Sequence, residues 1–322
     1  MRRREFIAGI ASASLPHAAY AQQVNSRVWR IGFLGSAAPT PEMISALREG
    51  LRERGYIEGN NLILDIRWLM DDNPNVAAEL VRSGVDLVVA WATQAAVAAS
   101  RATSTIPIVM VSVADPLRSG LAVELARPGR NVTGTSNMAT ELSGKLVNLL
   151  VQIVPGTKHI GVVRNPGNLA TSTASLKETM DVSRALGLRT TLVDAESVED
   201  FERAFATLSD ARVDGVVMLP DAILVRHRAK IAEIAKNVRL PTAFQRRENA
   251  EAGGLLAYGS DLSDLLRQSS RFVDRIFKGA KPAELPVEQP TKFTLVVNLK
   301  TAKAIGVSIP PTLLASADEV IE

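Results

Sequence analysis

From Trp29 onward the chain alternates short, near-continuous apolar runs with stretches whose apolar residues recur at helical spacing. Trp29–Leu34, Leu62–Trp68, Val85–Trp91, Ile106–Val113 and Val132–Ser136 read as strands. Pro41–Arg54, Asn75–Ser83 and Gln94–Ala102 read as helices between them, with a short one near Leu121–Ala126. Runs such as DLVVAWA and IPIVMVSV have no polar face, as strands buried on both sides of a parallel sheet require. Alternation with helices makes these βαβ units. After a long helix over Glu141–Val154 the pattern restarts. Strands are expected at His159–Val163, Arg189–Asp194, Gly215–Leu219 and Thr242–Phe244, and helices near Ser172–Leu186, Val198–Leu208 and Ala222–Asn237.

The two halves share landmarks. Ile31-Gly32 answers to Ile160-Gly161 at an offset of 129, and Gly55 to Gly187 at 132. Val85 to Val89 answers to Val213 to Val217 at 128, and Ile106-Pro107 to Leu240-Pro241 at 134. A nearly constant offset points to two similar doubly wound α/β lobes in tandem. Beyond them come a strand in Gly253–Gly259, a helix over Leu262–Lys278, a strand at Phe293–Asn298 and a short helix. The expected division is residues 22–142 with about 263–284 in one lobe, and 143–262 with about 285–322 in the other. Shared hinge strands of this kind permit rigid-body closure around a ligand.

Composition adds an address. Of 322 residues, 46% are hydrophobic and 22% charged, ordinary for a globular chain with two cores. The formal charge of +3 is concentrated at the start, where Arg2, Arg3 and Arg4 stand against Glu5. The rest is nearly neutral and has no field to draw it onto nucleic acid or an acidic membrane. MRRREF followed by IAGIASASL and Ala19-Tyr20-Ala21 reads as an export peptide over residues 1–21, cut before Gln22. Arg3-Arg4-Glu5-Phe6-Ile7 fits the twin-arginine pattern, a general secretory peptide being the alternative. Cysteine is absent, which removes thiolate nucleophiles, thiolate metal sites and a lipid-bearing cysteine. No later apolar run reaches the roughly 20 residues of a membrane span. A periplasmic protein without membrane insertion follows.

In open α/β sheets ligands bind beyond the carboxyl ends of the strands. The candidates there are Ser36, Trp91, Thr93, Gln94, Ser112, Asp115, Asn137, Asn165, Asp221 and Tyr258. Thr93, at a strand-to-helix junction, is either a simple helix cap or an anion site, since the geometry is the same. Asp115, Asn165 and Asp221 suit turns and caps as well as ligand contact. Trp91 and Tyr258 are packing residues or stacking walls.

Catalytic chemistry finds no support. No G-x-G-x-x-G follows the first strand, and Gly134 lies ten positions before Gly144-Lys145, which breaks the Walker spacing. His159 and His227 have no metal-ligand partner at helical spacing, no G-x-S-x-G elbow occurs, and no cofactor is called for. The basic pair Arg246-Arg247 lacks interleaved aromatics for nucleic acid.

Several stretches together resemble the substrate-binding family of ABC transporters that includes tryptophan- and tyrosine-binding members. They are RATSTIPIVMVSVADPLRSGL, LARPGRNVTGTSN, ELSGKLVNLL, GGLLAYGSD and, most specifically, VEQPTKF with VNLKTAKAIG. The resemblance runs from about Trp29 to the C-terminus and implies the type I periplasmic binding protein fold, with three hinge crossings and a ligand between the lobes. It implies delivery of a small solute to an inner-membrane ABC permease; a monomer is expected on mechanism, because a lobe must be free to swing. The ligand loops carry over to those around Ser36, Thr93, Asp115, Asn137, Asn165 and Asp221. Ala92 stands where relatives often place glycine, and Arg130 where a second glycine is common. The expected cargo is an aromatic or branched amino acid, with carboxylate at Thr93, ammonium at Asp115 or Asp221, and side chain against Trp91 or Tyr258. A sensor subunit for a membrane receptor and a two-lobed enzyme are the alternatives.

Overall fold

The structure is a computed structural model that describes residues 27–69 and 73–322; the expected export peptide lies outside the described residues. The first half forms β1 (Trp29–Gly35), α1 (Pro41–Arg52), β2 (Leu62–Trp68), α2 (Val76–Arg82), β3 (Leu87–Trp91), α3 (Ala92–Ala102), β4 (Ile108–Val113) and β5 (Val132–Ser136). These strands make an all-parallel sheet of order β2-β1-β3-β4-β5.

The second half adds α4 (Ala139–Ile153), β6 (His159–Arg164), α5 (Leu169–Ala185), β7 (Arg189–Asp194), α6 (Val198–Asp210), β8 (Gly215–Met218), α7 (Ala222–Arg226), α8 (Arg228–Asn237), β9 (Thr242–Phe244), α9 (Arg247–Glu251) and β10 (Leu256–Gly259). Then come α10 (Leu262–Phe277), β11 (Thr294–Asn298), α11 (Leu299–Ile305), α12 (Pro311–Ser316) and β12 (Glu319–Ile321). The second sheet runs β12-β11-β10-β9-β8-β6-β7 and is parallel except where β11 meets β10. Its last five strands reproduce the order of the first sheet, so the tandem repeat is a repeat of topology.

Both faces of each sheet are covered. Ile31, Phe33 and Leu47 lie in one apolar cluster of the first lobe, and Leu34, Leu80 and Val88 in the opposite one. Ile160, Val162 and Leu150 pack on one side of the second sheet, with Val163, Phe205 and Val216 on the other. This double burial is why the strand sequences lack a polar face.

The repeated Ile-Gly pair has a packing cause. A Cβ on Gly32 would lie 2.9 Å from the Leu80 side chain of α2; on Gly161 it would lie 2.7 Å from Leu208 of α6. The repeated Val-Asp has a hydrogen-bonding cause. Asp86 accepts from Arg30 N at 2.8 Å, and Asp214 from Lys158 N at 2.8 Å and His159 N at 2.9 Å. Each carboxylate caps the first strand of its own lobe.

Three crossings join the lobes: β5 to α4, β10 to α10, and the segment 289–293. After β10 the chain returns to the first lobe, where α10 lies along α1. There a Cβ on Gly50 would come within 2.5 Å of Arg267 O, so the two helices approach backbone to backbone. Leu285 to Glu288 then runs beside β5, with Thr133 Oγ1 donating to Leu285 O at 2.8 Å and Ser136 N to Glu288 O at 2.9 Å. The sequence pattern assigns residues from about 285 to the second lobe, whereas Leu285 to Glu288 are hydrogen-bonded to β5 of the first.

Other differences are local. No helix forms at Leu121–Ala126, because the amides of Leu121 and Ala122 close turns onto Pro116 O. The helix expected over Ala222–Asn237 breaks at His227 into α7 and α8. The short elements α9, α12 and β12 have no counterpart in the residue pattern.

Candidate functional site

The carboxyl ends of β3, β4 and β5 face those of β8 and β9 across one cleft. Trp91, Thr93, Gln94, Ser112 and Asn137 line it from the first lobe. Asn168, Asp221, Gln245, Arg246 and Asn249 line it from the second, with Pro220, Leu224 and Val225 as apolar wall. The enclosed space is about 60 Å³, well below the roughly 300–1,000 Å³ of small-molecule sites.

Its rim is built from strained backbone. Ala92, Ser112 and Met138, each at or just past the end of a strand, have φ of 68°, 59° and 53°. A left-handed conformation costs a non-glycine residue roughly 1–2 kcal/mol, and such positions cluster at ligand sites. Ala92 adopts it without being a glycine.

Trp91 is 1% exposed. Its indole lies over Gly35, where a Cβ would stand 3.3 Å from Cε3, and its Nε1 is buried without an acceptor among the described residues. Thr93 does not cap α3; its Oγ1 accepts from Ala114 N at 3.1 Å and ties α3 to the end of β4. The cap comes from the neighbouring strand, because Ser36 Oγ accepts from Ala95 N at 2.9 Å and donates to Trp91 O at 3.2 Å. Ser36 therefore supports the cleft from behind and does not line it.

Three further expected residues stand outside the lining. Asp115 Oδ1 accepts from Leu117 N at 3.1 Å and Arg118 N at 2.9 Å, closing a turn. Asn165 Oδ1 accepts from Gly167 N at 2.8 Å in another. Tyr258 stacks on Phe293 with ring centroids 5.9 Å apart, where β10 meets the last crossing. Trp91, Thr93, Gln94, Ser112, Asn137 and Asp221 are brought together.

Asp221 caps α7 through Oδ1, which accepts from Ile223 N at 2.9 Å, and Oδ2 accepts from Asn168 Nδ2 at 2.7 Å. Gln245 Nε2 donates to Ala139 O at 2.6 Å and Ser143 Oγ at 3.0 Å, fixing the end of β9 to α4. Asn249 Nδ2 holds Leu224 O at 2.9 Å. Arg247 points outward to Glu251 and Glu319, while Arg246 turns into the cleft, where burial pushes its guanidinium below the ordinary arginine value. Reading Arg246-Arg247 as one basic pair missed this division. The strand-end rule applied to β9, whose sequence continues TAF-Gln245-Arg246, would have found it.

Among the described residues no cluster of His, Cys, Asp and Glu could hold a metal ion, and no helix is long and apolar enough to cross a membrane.

Comparison with known proteins agrees with this geometry. Residues 39–321 match the profile of the family described as ABC transporter substrate binding protein, and the chain belongs to that family. It is 25% identical over 260 residues to a tyrosine-binding protein of Clostridioides difficile, covering 80% of this chain and 74% of that one. A conserved domain protein from Vibrio cholerae superposes with a TM-score of 0.84 at 28% identity, over 91% of this chain and all of that one. The ABC domain of a Streptococcus pneumoniae protein in complex with L-Trp gives 0.82 at 26% identity, over 91% and 99%. The two-lobed architecture is that of type I periplasmic binding proteins.

Proposed function

We propose that the chain is the solute-binding component of an ABC importer that encloses an aromatic amino acid between its lobes and delivers it to an inner-membrane permease. One observation carries this reading: residues of both lobes converge on a single cleft that joins a buried indole, one cationic and one anionic side chain. A zwitterion with a flat apolar side chain balances those charges and presents a ring to Trp91. A dianion or a second positive charge would leave a buried ion unpaired, at considerable cost. The relatives that bind tyrosine and tryptophan support the same class.

The ammonium is assigned to Asp221, whose oxygens each keep a lone pair beyond the bonds to Ile223 and Asn168. The protein releases its ligand unchanged, acts as a monomer in the periplasm, and reaches it through a twin-arginine peptide over residues 1–21. Mass spectrometry of natively purified protein, denatured to release its contents, tests the reading. An aromatic amino acid is expected; a product that changes chemically on incubation would favour an enzyme, and a protein stabilised by no amino acid in a thermal-shift panel would end the proposal.

A further inference from the structure

The polar groups of the cleft differ in how completely the protein satisfies them. Asp221, Gln245 and Asn249 are each engaged by protein partners. Arg246 is not. It stands at the junction of β9 and α9 in the second lobe and reaches to the first, where Nη2 donates to Ser112 Oγ at 3.0 Å. Part of the residue's surface stays exposed, but Nη1 is sealed from solvent and meets no acceptor among the described residues. Glu248 and Asp261 attract the guanidinium without forming an ion pair with it among the described residues. A desolvated cation held by one neutral hydroxyl is a poorly compensated charge.

Ser112 completes the pattern. Its Oγ accepts from Arg246 Nη2 and from Asn137 Nδ2 at 3.1 Å, and Asn137 Nδ2 also lies 3.2 Å from Ser112 O. An oxygen that already accepts twice offers its own proton outward, and that proton finds no acceptor among the described residues. The left-handed backbone at Ser112 and the bond from its N–H to Thr135 Oγ1 at 3.3 Å fix the direction. Two donors from opposite lobes, one of them charged, suit a two-oxygen anion.

We propose that Arg246 and Ser112 form the carboxylate receptor of the cleft. One ligand oxygen takes Arg246 Nη1 and the other takes the Ser112 hydroxyl, so the ligand's negative charge ties the lobes together. This rests on the cleft being the solute site. It moves the carboxylate away from the N-terminus of α3, where Thr93 Oγ1 and Ala95 N are already engaged by Ala114 N and Ser36 Oγ.

The test is calorimetric titration of L-tryptophan, L-tyrosine and L-phenylalanine, each against its C-terminal amide, on the mature protein and on Arg246→Gln, Arg246→Lys and Ser112→Ala. The unmodified protein is expected to prefer the acid over its amide by about 100-fold, the usual loss for an unpaired buried charge. Arg246→Gln should bind both at the amide level, and Ser112→Ala should reduce the preference about tenfold. Arg246→Lys keeps the charge without the fork and should retain part of the preference, which guards against a folding failure of the glutamine variant. An Arg246→Gln protein that still prefers the acid as strongly as the unmodified protein overturns the receptor while leaving the cleft reading intact. Unmodified protein that binds none of the three acids overturns both.

Discussion

Single residues explain most of what is repeated in this chain. Gly32 and Gly161 are small because Leu80 and Leu208 occupy the space where a side chain would stand, and those leucines are themselves 128 positions apart. Gly161→Ala should therefore overpack the second lobe by about 1–3 kcal/mol, each kcal/mol lowering the melting temperature by roughly 2–4 °C. A calorimetric scan with an unchanged midpoint would remove the argument. Trp91→Phe keeps most of the apolar contact and should fold. If Trp91 is the wall of the site, ligand addition should change tryptophan emission in the unmodified protein and not in this variant, since Trp29 and Trp68 do not line the cleft. An identical response in both would place the ring elsewhere. The strand-end rule found six lining residues because polar groups must gather where buried strands stop. The same rule applies to β9, although its three residues make only a short apolar run. Ser112 and Arg246 are in fact equivalent positions of the two repeats, each five residues after its Pro107 or Pro241.

Among elements, those with a complete apolar face were readable to within a few positions. The expected Val132–Ser136 coincides with the fully buried β5, and His159–Val163 falls one residue short of β6. Elements of three to six residues, such as β12 and α12, have too few positions for a period to show, and their existence depends on partners distant in sequence. The return of α10 to α1 is of this distant kind. It is fastened by Tyr56, which lies just past α1 and whose hydroxyl donates to Asp274 Oδ1 on α10 at 3.1 Å. Burial first, and then this hydrogen bond, push the phenol from 10.0 up to about 12. The folded protein thus holds the proton more tightly than the unfolded chain. The contribution is complete below pH 10 and is lost as pH rises through about 12. Urea unfolding across that interval should show a steeper loss of stability for the unmodified protein than for Tyr56→Phe; parallel curves would dissociate the residue from the helix pair.

At the scale of the molecule, two lobes with separate cores meet mainly through polar contacts at the cleft and through the crossings. A ligand held by both lobes favours the closed arrangement by its differential affinity. Saturating aromatic amino acid should lower the radius of gyration seen by small-angle scattering. It should also stabilise the protein by about 2.7 kcal/mol at 100 times the dissociation constant. Stabilisation without compaction would mean that the lobes are already closed before the ligand arrives.

The three crossings run side by side: Thr135 and Ser136 pair with Glu288, and Gly259 pairs with Thr294. A lone connection would leave one lobe free to swivel, twist and slide about the other. Three adjacent strands resist twisting and sliding and leave bending about one line, as a door differs from a tether. The orientational freedom forfeited on closing is then small before any ligand binds. Specificity can accordingly rest on a few contacts such as those at Arg246 and Trp91, because the hinge has already selected the path by which they meet.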